Sequence, residues 1–290
     1  MSWLPRSVDL HGSRSQWRDR PGLPARWSPV FLHNRRPDHG TSARFPTHPG
    51  HVGLTTYRVP MIKACLNGDR TRADHPGVPV TPDELGRDAA AAVAAGAGAL
   101  HIHPRGSDGL ETLEYADVHA AVAAVRRNCP GVPVGVSTRE GILPDLDERL
   151  RLIAAWEPMA DFASVNFHEE GAERVADLLL ATGIGVEAGL FTPDAARKHL
   201  AWGGPVVRVL VEAIPGISPG PDGVSAARAV LELLPPDGAL VHGENEWAWP
   251  VLRWARSHGY DLRVGLEDML TGPDGQPVRS NADLFSHLRY

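Results

Sequence analysis

The sequence predicts a (β/α)8 barrel, the TIM-barrel fold, with a disordered N-terminal extension. From Met61 onwards a short β-branched apolar run is followed by an Ala/Leu-rich helical stretch, and this unit occurs eight times. Alternation of buried strands with helices indicates a parallel sheet, and eight units in about 230 residues are the size of a closed barrel. Before Met61 neither a helical period nor sustained alternation is found, which sets the boundary of the folded domain.

Each apolar run is the expected position of one strand, and helices fill the intervals. The first helix has a start signal, because the capping hydroxyl of Thr81 is followed by Pro82 and, three residues on, by Glu84. Thr192 and Pro193 repeat this signal before a later helix. The expected strands are Ile62–Leu66, Ala99–His103, Val132–Ser137, Phe162–Asn166, Gly185–Leu190, Val206–Glu212, Ala239–His242 and Leu262–Leu266.

A doubly wound open sheet is the alternative topology, because it is also built from alternating strands and helices. Many such sheets bind a dinucleotide at a Gly-x-Gly-x-x-Gly turn after the first strand. No such turn follows Leu66, which weakens the dinucleotide-binding version of this alternative.

The first 60 residues differ in composition from residues 61–290, the expected catalytic domain. They hold nine Arg, three Asp and no Lys or Glu, for a charge of +6, and since the whole chain carries −6 the remainder carries −12. Their eight prolines interrupt helices and strands alike. We therefore expect residues 1–60 to be a disordered extension or an over-long translation start before Met61. An ordered cap and a targeting segment are the alternatives, and the lack of an amphipathic face argues against targeting.

The composition excludes several classes of partner. A net charge of −6 gives no electrostatic footprint for nucleic acid or an anionic membrane surface. With only Cys65 and Cys129, a disulfide framework or a cysteine-rich zinc module is excluded, and a reducing cytosol fits. The longest apolar run, residues 89–100, is too short to span a bilayer. We expect a cytoplasmic protein with small-molecule ligands.

His101 and His103 are the strongest candidates for metal ligands. Residues i and i+2 of a strand point to the same face, so both imidazoles are expected at the barrel mouth, where reactive groups of these barrels collect. There they are close enough to share one cation at Zn–N distances of about 2.0–2.1 Å. The other interpretation is a pair of histidines hydrogen-bonded to neighbouring loop carboxylates.

The last strand carries a second candidate group. By the period of two, residues 263, 265 and 267 share one face, which directs Arg263 and Glu267 into the barrel with Gly265 leaving room between them. A buried guanidinium and carboxylate need partners. They pair with each other, or Glu267 supplies an oxygen ligand to the ion, because strand eight closes next to strands one and two. Two His and one carboxylate leave a coordination position open, which is typical of catalytic zinc.

Polar side chains also end most of the other strands. Residues at such positions are usually satisfied loop groups, so each is only a candidate on this evidence. They are Asn67, Asp69, Ser137, Thr138, Asn166, His168, Glu187, Glu212, His242 and Glu244.

Five segments carry a resemblance to a known family. Residues 98–105 (GALHIHPR) and 263–268 (RVGLED) are specific in combination, and residues 62–68, 135–138 and 164–167 support them. Through these segments residues 61–290 resemble the β-keto acid cleavage enzymes. Members of that family are zinc-dependent barrels, in which a β-keto acid and acetyl-CoA become acetoacetate and a new acyl-CoA. They generally assemble into tetramers, so the resemblance implies a homo-oligomer.

The resemblance also implies roles for individual residues. His101, His103 and Glu267 match the zinc ligands. Arg263 and Asp268 match the pair that governs proton removal, with Asp268 as the candidate base. The remaining candidates are Ser137, which matches a substrate contact and is placed with the catalytic group, and, for substrate binding, Asp69, Asn67, Arg105, Thr138, Asn166 and Glu187.

Departures from the family pattern bear on the substrate. Asp69 stands where the enzyme of the lysine pathway, which acts on 3-keto-5-aminohexanoate, has a glutamate for the substrate amine. Arg139 and Glu140 stand where members more often carry glycines, so a loop near the substrate has gained charge. No sequence fingerprint for coenzyme A is present, so acetyl-CoA as co-substrate is implied by the resemblance alone.

Two rival functions stay open. A zinc hydrolase of the amidohydrolase type also begins with His-x-His on a barrel strand, but it normally needs histidines after strands five and six, which end here in Glu187 and Glu212. The non-enzymatic rival is a metal-binding barrel that acts as a scaffold or regulatory partner. The presence of Ser137, Arg263 and Asp268 beside the metal pair favours an enzyme.

Overall fold

The computed structural model describes residues 60–236 and 238–288 of the chain. The expected disordered extension, residues 1–60, therefore lies outside the described residues except for Pro60.

Eight parallel strands form a closed barrel, so the predicted TIM-barrel fold is confirmed. Each strand pairs with the next one in the sequence and the last pairs with the first, which excludes the open doubly wound sheet. The strands are β1 (Ile62–Cys65), β2 (Ala99–Ile102), β3 (Val134–Ser137), β4 (Phe162–Asn166), β5 (Gly185–Leu190), β6 (Arg208–Ala213), β7 (Ala239–Gly243) and β8 (Asp261–Val264).

Helices follow the strands and cover the outside of the barrel. Both predicted start signals are present: the Thr81 hydroxyl accepts from the Glu84 N–H while the Glu84 carboxylate accepts from the Thr81 N–H, and Thr192 caps the N–H of Ala195. No helix of the described residues is long and apolar enough to cross a bilayer. The helices are α1 (Pro82–Ala95), α2 (Tyr115–Asn128), α3 (Leu146–Ala154), α4 (Ala172–Thr182), α5 (Pro193–Trp202), α6 (Gly223–Leu231), α7 (Ala248–Ser257) and α8 (Asn281–Ser286).

The last strand ends earlier than predicted. β8 stops at Val264, and the chain then turns, with the N–H of Asp268 donating to the carbonyl of Gly265. Glu267 therefore lies in a turn after the strand, so the expected alternation over residues 263, 265 and 267 is wrong. Gly265 serves a different purpose from the one expected. A Cβ there would lie 1.7 Å from the Cys65 carbonyl oxygen, so glycine permits the close approach of this turn to β1.

The register of β1 links the two candidate groups. Cys65 pairs with His101 on β2, and Lys63 pairs with Arg263 on β8. The histidine strand and the arginine strand thus flank β1 on either side. Residues after these strands reach the same end of the barrel, because all the strands run parallel.

A buried charged cluster fills the barrel interior beneath this end. The ammonium group of Lys63 donates to Glu187, and Nη1 of Arg208 lies 2.5 Å from the other oxygen of the same carboxylate. The Phe162 ring packs against both cations, at 5.9 Å from Lys63 Nζ and 5.6 Å from Arg208 Cζ. The pKa of Glu187 falls to about 2, because the two cations outweigh the effect of burial.

Candidate functional site

A cavity of about 480 Å³ opens at the carboxyl ends of the strands, where the sequence predicted a site. Apolar side chains contribute one part of its wall, at Phe191, Ile214 and Ile217. The rest is largely polar. The candidate residues from the sequence that line the cavity are Asp69, His101, His103, Ser137, Asn166, His168, Glu212, Glu244, Arg263 and Glu267.

His101, His103 and Glu267 converge on one point of the cavity floor. The two Nε2 atoms lie 3.1 Å apart, and Nε2 of His103 lies 3.5 Å from Oε1 of Glu267. One ligand atom from each residue lies within 4.8 Å of the other two. Both histidines are buried, with 1% and 4% of their surface exposed. Among the described residues this is the one group of His, Cys, Asp and Glu with the spacing to hold a metal ion.

Burial and neighbouring charges act differently on the three groups. Burial holds the pKa of His101 well below its usual value. For His103 burial also lowers the pKa, but the carboxylates of Glu267 and Glu111 outweigh it and raise the pKa to about 8. Burial alone would raise the pKa of Glu267, yet Arg263 and the histidines keep it well below its usual range.

Arg263 holds the carboxylates at this end of the barrel. Its Nη2 donates to Oε1 of Glu267 at 2.5 Å and to Oδ1 of Asp268 at 2.8 Å, and its Nε donates to the same Asp268 oxygen at 3.0 Å. The Arg263–Glu267 pair considered from the sequence is therefore present. It leaves Oε2 of Glu267 buried without a hydrogen-bond partner among the described residues, so this oxygen is free to bind an ion.

A histidine and a further carboxylate extend this network. Nε2 of His242 lies 2.9 Å from Oε2 of Glu212, and Nη1 of Arg263 lies 3.4 Å from the same oxygen. Burial raises the pKa of Glu212 to about 7 and lowers that of His242 to about 3. From the sequence these two residues were only separate candidates, and the structure joins them beside Arg263.

Several predicted residues support the site from outside the cavity lining. Asn67 forms two hydrogen bonds with the backbone of His103 at the end of β2. Its Oδ1 accepts from the N–H of His103 at 2.9 Å, and its Nδ2 donates to the His103 carbonyl at 2.8 Å. Arg105 donates to backbone carbonyls of the β1–α1 loop, and Thr138 donates to the backbone of β4. The candidates that do not line the cavity are Asn67, Arg105, Thr138, Glu187, His242 and Asp268.

Charged side chains surround the mouth of the cavity. Asp69 is exposed, and its Oδ2 lies 3.4 Å from Nη1 of Arg139. Arg70 donates from Nη2 to the Asn245 side chain at 2.8 Å and from Nε to the Glu267 carbonyl at 3.2 Å. The charged β3–α3 loop therefore contacts Asp69 through the guanidinium of Arg139.

Glu111 is a largely buried contact of the site that was not among the predicted residues. Its Oε1 accepts from Nδ1 of His103 at 2.5 Å, and both of its oxygens accept from Arg139. A signal for it exists in the Asp108-Gly109 pair, which is typical of a tight turn. The chain folds back there, with Gly109 at φ +81° and a bridge between Arg105 and Glu111.

The three converging groups fit a zinc ion. Two imidazole nitrogens and one carboxylate oxygen are ligands that zinc accepts, and three protein ligands leave the open position of a catalytic site. The unpartnered, buried Oε2 of Glu267 is the strongest structural sign, because an orphaned buried oxygen is costly unless something binds it. A histidine pair satisfied by loop carboxylates, the alternative interpretation, describes only His103, since Nδ1 of His101 has no partner among the described residues.

Two named enzymes are similar to this chain over most of its length. Both are called 3-keto-5-aminohexanoate cleavage enzyme. The one from Fusobacterium nucleatum subsp. nucleatum is 27% identical over 248 residues, covering 79% of this chain and 89% of the relative. The one from Acetoanaerobium sticklandii is 26% identical over 249 residues, with the same coverage.

Two solved structures share the fold at low identity. The ternary complex of ObcA with a C4-CoA adduct and oxalate has a TM-score of 0.59 and 17% identity over 74% of this chain. This chain spans 63% of the length of ObcA. A type I 3-dehydroquinate dehydratase from Clostridium difficile has a TM-score of 0.54 and 12% identity, over 79% of this chain and 91% of that enzyme.

The family assignment comes from the sequence rather than from these likenesses of fold. The family model of the beta-keto acid cleavage enzymes matches residues 60–289, which is the barrel with its loops. The match includes all the residues of the candidate metal site and of the Arg263 network. The chain therefore belongs to the β-keto acid cleavage enzyme family.

Proposed function

We propose that this protein is a zinc-dependent acyltransferase that converts a β-keto acid and acetyl-CoA into acetoacetate and a new acyl-CoA. In this reaction the bond between the β-carbonyl carbon and the CH2–COO⁻ unit breaks, and the released acyl group passes to the sulfur of coenzyme A. The acetyl group passes from that sulfur to the CH2 carbon. The substrate would be 3-keto-5-aminohexanoate or a related β-keto acid.

One observation carries this proposal: the cluster of His101, His103 and Glu267 adjoins Arg263 in a single cavity, and Asp268 holds Arg263 from behind. The names of the two relatives support the substrate class. The coenzyme A adduct in the ObcA complex supports the co-substrate.

His101, His103 and Glu267 would hold the zinc ion. When bound, zinc is a Lewis acid that stabilises the negative charge developing on a ketone oxygen as the adjacent C–C bond reacts. All the remaining chemistry falls to side chains of the chain itself.

Arg263 and Asp268 would control the proton and the substrate carboxylate. Arg263 lines the cavity, and a planar guanidinium binds a carboxylate through two hydrogen bonds. Asp268 is fully buried behind Arg263, and its Oδ1 accepts hydrogen bonds from Nε and Nη2 of Arg263. The other oxygen of Asp268, Oδ2, has no hydrogen-bond partner among the described residues. That free oxygen supports Asp268 as the base that accepts the proton.

Ser137 and Asn166 would contact the substrate, since both line the cavity. Asp69 would face the far end of the substrate. Because Arg139 lies 3.4 Å from its carboxylate, recognition of a substrate amine by Asp69 would be weakened in this chain.

We also expect the protein to be cytoplasmic and to form a homotetramer. Light scattering after size-exclusion chromatography measures the oligomeric state.

A panel of β-keto acids incubated with acetyl-CoA and the zinc-loaded protein tests the proposal. The expected result is the formation of acetoacetate and an equal amount of new acyl-CoA. Chromatography with mass spectrometry measures both products. Hydrolysis of amides or esters without acyl transfer would instead favour the amidohydrolase rival. Stoichiometric zinc binding with neither reaction would favour a non-catalytic barrel.

A further inference from the structure

The two histidines of the metal cluster have different surroundings on their far sides. Nε2 of His103 faces His101 and Glu267, at 3.1 Å and 3.5 Å, and Nδ1 of the same ring contacts Glu111 at 2.5 Å. Nδ1 of His101 has no hydrogen-bond partner among the described residues. One ligand is therefore oriented by a carboxylate and the other is not.

The contact with Glu111 determines the tautomer of His103. An ionised carboxylate only accepts hydrogen bonds, so Nδ1 carries the hydrogen and donates it. Both oxygens of Glu111 also accept from the guanidinium of Arg139, whose permanent positive charge favours the ionised carboxylate. In the neutral ring that binds a metal ion, Nε2 therefore carries the lone pair, and it is directed at the cluster.

Glu111 is itself held in place from a different loop. Nε of Arg139 donates to its Oε1 at 3.1 Å, and Nη2 of Arg139 donates to its Oε2. The backbone bridge between Arg105 and Glu111 fixes the same residue from its own loop. Only 9% of the Glu111 side chain is exposed, so solvent competes little for these bonds.

We infer that Glu111 is a positioning residue that orients His103 for the ion, and that Arg139 holds Glu111 in place. The inference rests on the proposed zinc site. Carboxylates behind a metal-bound histidine fix its ring and raise its basicity, and their loss typically costs about 10–100-fold in metal affinity. The β3–α3 loop is thereby coupled to a ligand on β2.

Zinc affinity, measured by chelator competition on the full-length protein, tests this role without relying on turnover. Glu111→Leu removes the acceptor at similar volume and should weaken zinc binding by at least about tenfold. Glu111→Gln keeps an oxygen acceptor for Nδ1 and should fall between Glu111→Leu and wild type. This graded rescue is not expected of a residue that only packs.

Glu169→Leu is the matched control. Glu169 is a carboxylate of similar burial, with 7% of its side chain exposed, and it pairs with Arg149 at 3.5 Å and contacts neither histidine of the cluster. The zinc affinity of the Glu169→Leu variant should stay within about twofold of the wild-type affinity. This change is much smaller than the loss expected for Glu111→Leu.

Each outcome decides between the two proposals. Unchanged affinity in Glu111→Leu, or an equal loss in Glu169→Leu, overturns the role of Glu111 and leaves the zinc site intact. Failure of the wild-type protein to bind zinc overturns both. Where circular dichroism shows that Glu111→Leu does not fold, Arg139→Met replaces it. Arg139 is partly buried in the β3–α3 loop, and Arg139→Met should still weaken zinc binding severalfold; wild-type affinity in this variant overturns the inference.

Discussion

Replacing Asp268 by asparagine separates proton transfer from metal binding. The side chain keeps its shape, and Oδ1 still accepts from Arg263, but both hydrogen bonds, at 3.0 Å and 2.8 Å, lose the charge of their acceptor. A hydrogen bond to a charged group contributes about 1.5–3 kcal/mol against about 0.5–1.5 kcal/mol for a neutral one. Because the guanidinium keeps its charge, each bond loses only part of this difference, and the expected loss in the free energy of unfolding over two bonds is about 1–2 kcal/mol, which leaves the barrel folded.

The effect of Asp268→Asn on the rate should be larger. General acid–base catalysis contributes about 10²–10⁴-fold, so kcat should fall by that factor, equivalent to about 3–5 kcal/mol of barrier. Zinc content should stay at the wild-type value, because Asp268 is not in the three-residue cluster.

Steady-state formation of acetoacetate, zinc content by elemental mass spectrometry and urea unfolding give the three readouts for Asp268→Asn. Wild-type kcat in the folded variant would refute Asp268 as the base. A loss of zinc in step with activity would instead make Asp268 a ligand.

Arg139→Ala should free Asp69 at the cavity mouth and raise kcat/KM for an ammonium-bearing β-keto acid relative to its uncharged isostere. The gain should vanish when Asp69→Asn is added, and no change in the ratio would contradict the weakening effect of Arg139. Gly265→Ala should destabilise the protein by about 1–3 kcal/mol in urea unfolding, because its Cβ would overlap the Cys65 carbonyl; wild-type stability would show that the turn after β8 adapts freely. The pKa of Glu212 rises from 4.5 to about 7 on folding, so the native state binds a proton that the unfolded chain releases between those values. The contribution of Glu212 to the stability of the metal-free protein should thus decrease as pH rises from 4.5 to 7, so the stability of wild type relative to Glu212→Gln should decrease over that range; an identical pH profile in the variant would refute the assignment.

The periodicity of the sequence predicted the barrel because it depends on local patterning. The apolar runs predicted both ends of β4 and β5 correctly. The threonine–proline pairs likewise predicted the helix caps at Thr81 and Thr192. The end of β8 was misplaced, since Leu266 continues an apolar pattern. Beyond the strand, the turn at Gly265 approaches the backbone of Cys65 on β1, a contact between residues far apart in the sequence.

The candidate site was predictable in composition but not in its supporting contacts. The His-x-His spacing was sufficient to bring His101 and His103 together. Glu111 was missed because its contact with His103 depends on a hairpin in an irregular loop. Glu187 was expected at the mouth, yet it lies in the interior, where Lys63 neutralises it from the far side of the barrel. The alternation of side chains along a strand predicts which face a residue lies on. It does not predict how deep in the barrel the residue lies or which residue on another strand pairs with it.

The zinc content of the purified protein tests the central claim most directly. About one zinc per chain is predicted for wild type, and His101→Ala should lose both the metal and acetoacetate formation, because the other two ligands alone bind the ion weakly. Full turnover by protein that contains no metal would contradict the account.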